Sequence, residues 1–361
     1  MASVQEASSL MLIEEYGEKE NGSMNTIELS IVIPVWHTPE EVLRRALDST
    51  ANIRISHETV VIFDGEPASE LHDVVRSYAH NHVRSEVIDH AGLAAARNAG
   101  IRNAVGKWIT FLDADDELVA DGMEKLVRFG NLHGNQIVQG AYEKVMHNGT
   151  ERCHLAAQDR VYAGKDTRDY LYSTLRVDLG TGTAWGKIFL RAFLNDERVC
   201  FDETLFIEDT MFMLDAARYS RSVGFVDAIC YRYDRNAQSL VTAYKPDYSK
   251  KISTYLDYFS CVIRDAHDHS LSTLFDEYVA FYLLLLMLHY VFNPMNPANE
   301  TERRHQFRQL LEDPMYSKAL HNIPLHAFTW SKRLSIIALR MKSYTMMRVI
   351  CGLRHRQLGD C

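Results

Sequence analysis

Six cysteines in 361 residues are too few to staple a chain of this length. None stands in a C-x-x-C pair or near a histidine at zinc-finger spacing, which excludes a disulfide scaffold and a structural zinc finger and leaves reduced, cytosolic thiols. Positive charge is also short. With 39 Lys and Arg against 48 Asp and Glu, the formal net charge is −9, so the chain as a whole repels polyanions and no nucleic-acid partner is expected. Residues 1–27 lack a basic start followed by an apolar stretch. They carry Glu6, Glu14, Glu15, Glu18 and Glu20, and read as a loosely ordered tail with a short helix around Met11–Tyr16 rather than as a secretory signal. Long apolar runs are missing too. The longest, Val279–Phe292, has 14 residues, against the ~20 needed to span a bilayer, and predicts a buried core helix. There is no internal repeat and no low-complexity linker.

What is present is a core-forming composition, 47% hydrophobic, with strands and helices in alternation. Glu28–Trp36 (ELSIVIPVW) and Thr59–Phe63 read as strands buried on both faces. Ser69–His82 and Leu93–Ala104 read as helices, Lys107–Leu112 as a strand, Glu117–Leu132 as mostly helix and Gln136–Ala141 as a further strand. This order predicts an α/β fold with a mostly parallel central sheet flanked by helices. Ligands of such sheets bind beyond the carboxyl ends of the strands. A helix is expected around Thr167–Leu175, two strands at Ser222–Asp227 and Ile229–Tyr233, and an almost wholly helical chain from Tyr248. The expected organisation is a tail over 1–27, a catalytic domain over 28–240 and a helical region over 241–361.

Four local features carry chemistry. Asp113-Ala114-Asp115-Asp116 follows a buried strand, and three carboxylates in four residues repel one another unless a hard cation draws them together. A solvated acidic turn that caps the next helix is the plainer reading. Asp64-Gly65 ends the second strand, as an ordinary turn or as a carboxylate placed to accept a base N–H. Arg97 sits in the alanine-rich segment Gly92-Leu93-Ala94-Ala95-Ala96-Arg97-Asn98, suited to a structural ion pair or to a donor site, since the guanidinium fork matches carboxylates and phosphates. Glu208-Asp209 opens an amphipathic helix, where an acidic pair complements the helix dipole or, facing the crevice, supplies a general base.

Taken in order, ELSIVIPVW, Asp64-Gly65, GLAAARNAGIRNAVGKWITFLDADDEL and FIEDTMF resemble the family 2 inverting glycosyltransferases of the GT-A (nucleotide-diphospho-sugar transferase) fold. GTAWGKIFLR from Gly182 and YRYDRNAQS from Tyr231 resemble the bacterial capsule, exopolysaccharide and lipopolysaccharide branch. The resemblance covers Glu28 to about Ser239. It implies transfer of a sugar from a nucleotide diphosphate donor, UDP-sugar above all, to a hydroxyl of a glycan or lipid-linked acceptor, by single displacement with Mn2+ or Mg2+. By the same resemblance Pro34 and Val35 line the base, Asp64 contacts uracil and Arg97 supports the donor site. Asp113 and Asp115 contact ribose, diphosphate and metal, Asp209 is the base, and Glu208, Trp185 and Lys187 lie near the acceptor. The chain departs from the family pattern at Phe63, where the first of two aspartates usually stands.

A sugar-nucleotide pyrophosphorylase would carry a glycine-rich loop after the first strand, where this chain has Pro34-Val35-Trp36-His37. A catalytically dead binding protein would have no need of Asp113, Asp115 and Asp209 together. Trp330 to Leu358 holds seven basic residues (Lys332, Arg333, Arg340, Lys342, Arg348, Arg354 and Arg356) and no Asp or Glu. It reads either as a basic amphipathic segment on an anionic membrane, with the protein peripheral at the inner face, or as a terminal helix packed on the acidic catalytic domain.

Overall fold

The computed structural model describes residues 26–146, 149–153, 159–164, 167, 170, 182–205, 207–234, 244–265 and 269–359. The expected helix at Met11–Tyr16, most of the tail, and all but two residues of the helix expected at Thr167–Leu175 lie outside these.

The first half alternates as the hydrophobic pattern requires. Strand β1 (Leu29–Val35) is buried along its whole length. Helix α1 (Glu40–Ala51), β2 (His57–Asp64), α2 (Ser69–Ser77), β3 (Val83–Ile88), α3 (Leu93–Asn103) and β4 (Trp108–Phe111) follow. β1 lies parallel between β2 and β4, with Val32 opposite both Val60 and Phe111. The chain continues through β5 (Glu117–Leu118), α4 (Ala120–His133), β6 (Ile137–Met146), β7 (Gly149–Cys153), β8 (Arg160–Ala163), β9 (Lys187–Leu190), α5 (Arg191–Asp196), α6 (Glu208–Tyr219) and β10 (Ser222–Asp234). The sheet runs β3-β2-β1-β4-β9-β6-β10-β5, with β7 on β6 and β8 on β10. It is parallel through β3-β2-β1-β4 and mixed beyond, because β9 inserts antiparallel between β4 and β6.

Three elements differ from the sequence reading, and the first is the helix expected over Ser69–His82, which ends at Ser77. Ser222–Asp234 is one strand rather than two, with pairing irregularities between Val226 and Ile229 and between Ile229 and Tyr231. Bulges of this kind bend a strand without ending its ladder. The helix expected from Glu117 starts at Ala120, because Glu117 and Leu118 pair with β10. Neither Asp115 nor Asp116 caps it, since the N-cap position is Val119.

Alternation along β1 divides the core. Ile31 and Ile33 face Leu43, Leu47 and Val74 on one side of the sheet. Val32 faces Ala94 and Ile101 on the other, with Phe111, Phe189 and Phe212. Helix α3 lies very close to the sheet, as a Cβ built on Gly100 would stand 2.1 Å from Val32 Cγ1. That contact sets the depth at which Arg97, one turn earlier, enters the crevice.

Helices α7 (Tyr248–Asp265), α8 (His269–Leu286), α9 (Glu300–Glu312), α10 (Pro314–Asn322), α11 (Trp330–Arg340) and α12 (Tyr344–Gly359) share a third core. Met211 and Leu214 of α6 belong to it, whereas Phe212 and Met213 pack on the sheet. Helix α6 therefore sits between sheet and helical region. The apolar run at Val279 extends to a 21-residue helical stretch, Leu271–Val291, of mean hydropathy 1.6. By length and composition alone it could cross a membrane. Half of it is inside the fold, with Val279, Ala280, Leu283, Leu286 and Met287 fully buried.

Helices α11 and α12 pack on these helices, not on the acidic sheet. Ile336, Leu339, Met347 and Cys351 are buried, and the Arg340 side chain donates to the carbonyls of Leu320 and Ile323 at the end of α10. Trp330, Leu334, Met341, Val349 and Leu353 remain exposed.

Candidate active site

Arg97 is the centre of the site. Its side chain is 1% exposed. Nη2 donates to Asp113 Oδ1 at 2.7 Å, and Nη1 to Glu208 Oε1 at 3.1 Å and to Asp209 Oδ1. The Phe201 ring lies 5.3 Å from the guanidinium carbon. One buried cation thus joins carboxylates from the end of β4 and the start of α6. Burial lowers the pKa of the guanidinium, but Asp209, Asp113 and Glu208 outweigh it and leave the pKa raised. Burial pushes Glu208 up to about 7, helped by Asp209 and opposed by Arg97. It also raises Asp209, against the pull of Arg97. Asp209 accepts a second bond, from the Ala184 N–H at 3.2 Å.

The acidic loop is held from behind. Tyr231 Oη accepts from the Asp113 N–H at 3.2 Å and donates to Asp116 Oδ2 at 2.7 Å, and Asp116 Oδ1 accepts from the Asp234 N–H at 2.8 Å. Asp116 is 1% exposed, and burial, with Asp113 beside it, pushes its pKa up to about 8. Its work is in tying the loop to β10. Arg45 clasps the same loop, donating to the Asp115 carbonyl at 2.6 Å and pairing with Asp234 at 3.0 Å. Asp115 is half-buried, and its pKa is raised by burial and by Asp113.

Asp64 at the end of β2 is 3% exposed and tied to the entry of α3. Its carboxylate accepts from His90 Nδ1 at 2.9 Å and from the N–H groups of Ala91 at 2.8 Å and Gly92 at 3.0 Å. Gly92, at φ +96°, opens the helix that carries Arg97. Trp36, 47% exposed, stacks on His90 at 3.8 Å. Pro34 and Val35 are buried at the end of β1, level with Ile62 and Phe63.

On the other side, Lys187 is 1% exposed, with Nζ donating to the Thr183 carbonyl at 2.6 Å. Burial lowers its pKa to about 7, against the pull of Asp209. It braces the turn whose Ala184 N–H holds Asp209. Trp185 is half-buried, stacked on Tyr231 at 4.7 Å and Tyr233 at 5.7 Å.

Asp113, Arg97, Glu208 and Asp209 therefore meet directly, with Lys187 and Trp185 alongside. Asp64 joins them through α3 rather than by contact. Arg97 makes the ion pairs that one reading of its sequence expects, and Glu208 and Asp209 stand in the first turn of α6, where they also complement the helix dipole. Sequence reasoning missed Arg45 and His90. Neither stands in a motif, and only the fold brings them to the loops they hold. Tyr231 lay within YRYDRNAQS but had no assigned role, and residues 235–239 of that stretch lie outside the described residues.

Among the described residues no three His, Cys, Asp or Glu side chains stand together as a metal cage. Mg2+ and ions like it use one or two carboxylates plus substrate phosphates and water. Asp113 and Asp115 supply two such carboxylates, with Asp113 Oδ1 already engaged by Arg97. Asp115 stands near Asp113 and Asp234, and Arg45 offsets part of their charge.

Residues 30–195 match the model of glycosyl transferase family 2. The chain is 26% identical over 227 residues to the putative glycosyltransferase EpsH of Bacillus subtilis, covering 62% of this chain and 65% of that protein. It is 27% identical over 246 residues to the uncharacterized glycosyltransferase EpsJ of the same organism, covering 64% and 70%. The match thus spans just under two thirds of the EpsH length. Among solved structures, S. aureus TarS 1-349 in complex with UDP-GlcNAc superposes with a TM-score of 0.61 at 17% identity over 92% of each chain. A nucleotide-sugar-transferase motif set on a matching sheet, and a family model that covers that sheet through β9, make residues 30–195 a glycosyltransferase family 2 domain, and the chain has the GT-A fold.

Proposed function

We propose that the chain is an inverting transferase that moves a hexose from a UDP-sugar to a hydroxyl of a glycan or lipid-linked saccharide in surface polysaccharide biosynthesis, in the cytoplasm at the inner face of the membrane. The observation that carries this reading is the Arg97 bridge, which places the donor-side Asp113 one guanidinium away from Glu208 and Asp209. The solved TarS complex with UDP-GlcNAc supports a uridine donor.

The donor diphosphate lies beyond β4, against Asp113 and Asp115, with its base toward Pro34, Val35 and Asp64. Mn2+ or Mg2+, held by Asp113 and Asp115, would neutralise charge on the departing diphosphate. Asp209 takes the proton of the attacking hydroxyl, and Arg97 and the Ala184 N–H keep its carboxylate aimed. Trp185 and Lys187 shape the acceptor side, Trp185 as part of an aromatic slab and Lys187 as the brace beneath it. Attack from the face opposite the diphosphate inverts the anomeric centre with no covalent intermediate. Asp115→Ala should weaken Mn2+-dependent UDP binding by ~10-fold or more in calorimetry, the least expected when a metal site is disturbed. Unchanged affinity would remove Asp115 from the metal site.

The membrane contact uses what the fold leaves outside on α11 and α12. Trp330, Leu334 and Met341 recur at helical spacing and are 74%, 45% and 67% exposed, and the basic residues of 330–358 accompany them. Because Ile336, Leu339 and Met347 are core, substitution is a cleaner test than truncation. The full chain should float with vesicles containing phosphatidylglycerol, and the Trp330→Ser, Leu334→Ser, Met341→Ser triple variant should not. Equal flotation of the two would exclude this surface.

A further inference from the structure

Helix α6 opens without a side-chain cap, so its first turn, which carries Glu208 and Asp209, depends on contacts from outside for its placement. From the sheet side these are Arg97 and the Ala184 N–H. Among the described residues the helical region adds hydrogen bonding to the packing of Met211. The Tyr278 hydroxyl of α8 donates to Oγ1 of Thr210, the residue after Asp209, at 3.0 Å. Tyr255 Oη lies 2.9 Å from Tyr278 Oη, and Tyr282 Oη 3.1 Å from it. A phenol has one proton to give. With the Tyr278 proton on Thr210, Tyr255 and Tyr282 each donate to Tyr278, so all three hydroxyls are ordered toward the first turn of α6. Tyr255, Tyr278, Tyr282 and Thr210 are all at least nine-tenths buried. The proposed chemistry uses none of them, and a core built for packing alone would be served by phenylalanine.

We propose that Tyr278 is a positioning residue for transfer: through Thr210 it fixes the angle at which α6 presents Asp209, which makes the helical region part of the catalytic apparatus rather than an appendage. The inference rests on the reading of Asp209 as the base.

The test compares Tyr278→Phe with Tyr282→Phe in the full chain. Each deletes one hydroxyl from the same buried cluster, but only the first breaks the bond to Thr210. Turnover is read as UDP release, with Mn2+, from whichever of UDP-GlcNAc, UDP-glucose and UDP-galactose is turned over fastest. Tyr278→Phe should lower kcat ~10- to 100-fold, the scale of a small misplacement of a reacting group, with donor KM unchanged. Tyr282→Phe should lose comparable thermal stability yet keep kcat within about twofold. Thr210→Val should match Tyr278→Phe, the double variant should lose nothing further, and Thr210→Ser should restore turnover. Equal kcat for Tyr278→Phe and Tyr282→Phe, or additive losses in the double variant, would overturn the inference. Asp209→Asn in the same assay reports separately on the base: full activity there sinks that assignment without bearing on the tyrosine comparison.

Discussion

Asp209→Asn should abolish transfer, lowering kcat by ~10²–10⁴-fold, the usual worth of a general base, while UDP binding is retained. The amide preserves the size of the side chain and can keep one of the two bonds that Asp209 accepts, from Arg97 or from Ala184, but cannot take a proton. The wild-type pH profile carries a second signature. Burial raises the Asp209 pKa, with Asp113 adding to it and Arg97 opposing it. A base must be ionised to act, so activity should fall as pH drops through a value above the ordinary aspartate range. Burial raises Asp115 too, so metal-dependent donor binding also weakens at low pH, and the Asp209 limb is read in kcat at saturating donor and Mn2+. Near wild-type turnover of the variant at neutral pH would exclude Asp209. Loss of UDP binding along with turnover would mean that the substitution disturbs the donor site rather than the base.

Arg97→Met should cost the most in stability. The variant leaves Asp113, Glu208 and Asp209 clustered with no cation between them, and removing one partner of a buried ion pair typically costs ~3–5 kcal/mol. The loss is measurable as a shift in denaturant midpoint. Its pH dependence has a definite sign. Glu208 and Asp209 already have raised pKa values in the folded wild type, Glu208 at about 7, and without Arg97 they rise further. A carboxyl whose folded pKa exceeds its unfolded value contributes stability at low pH and loses it as pH rises through the folded pKa. The deficit against wild type should therefore be small near pH 4 and widen through about pH 7. Arg97→Lys should fall between the two, because an ammonium is a point charge and cannot fork toward both β4 and α6. A deficit that did not change with pH would point to lost packing against Phe201 instead of lost charge.

The course of β1, β2 and β4 was legible because strands buried on both faces leave continuous apolar runs, and alternation with helices fixes their parallel order. The acidic loop, Arg97 and the Glu208-Asp209 pair were legible as types. Each is costly or odd in isolation, and costs of that kind gather where chemistry occurs. Their partnership was not legible, because Arg97 and Asp209 are 112 residues apart and meet only when Gly100 lets α3 press on β1. The antiparallel insertion of β9 was also hidden, since Lys187–Leu190 has four residues and too little pattern to declare its direction. Asp64 shows a further limit. A carboxylate at a strand end announces a turn or a ligand, but its bonds to the 90–92 loop depend on a backbone that the sequence does not display.

The central claim is that Asp113, Arg97 and Asp209 form one site for a nucleotide sugar. Its most direct test is a screen of UDP-glucose, UDP-galactose and UDP-GlcNAc for UDP release by the purified full chain, with Mn2+ and after chelation. At least one should be turned over with Mn2+, with release lost on chelation and lost again in Asp209→Asn. Release from none of them, or release indifferent to both metal and Asp209, would contradict the account.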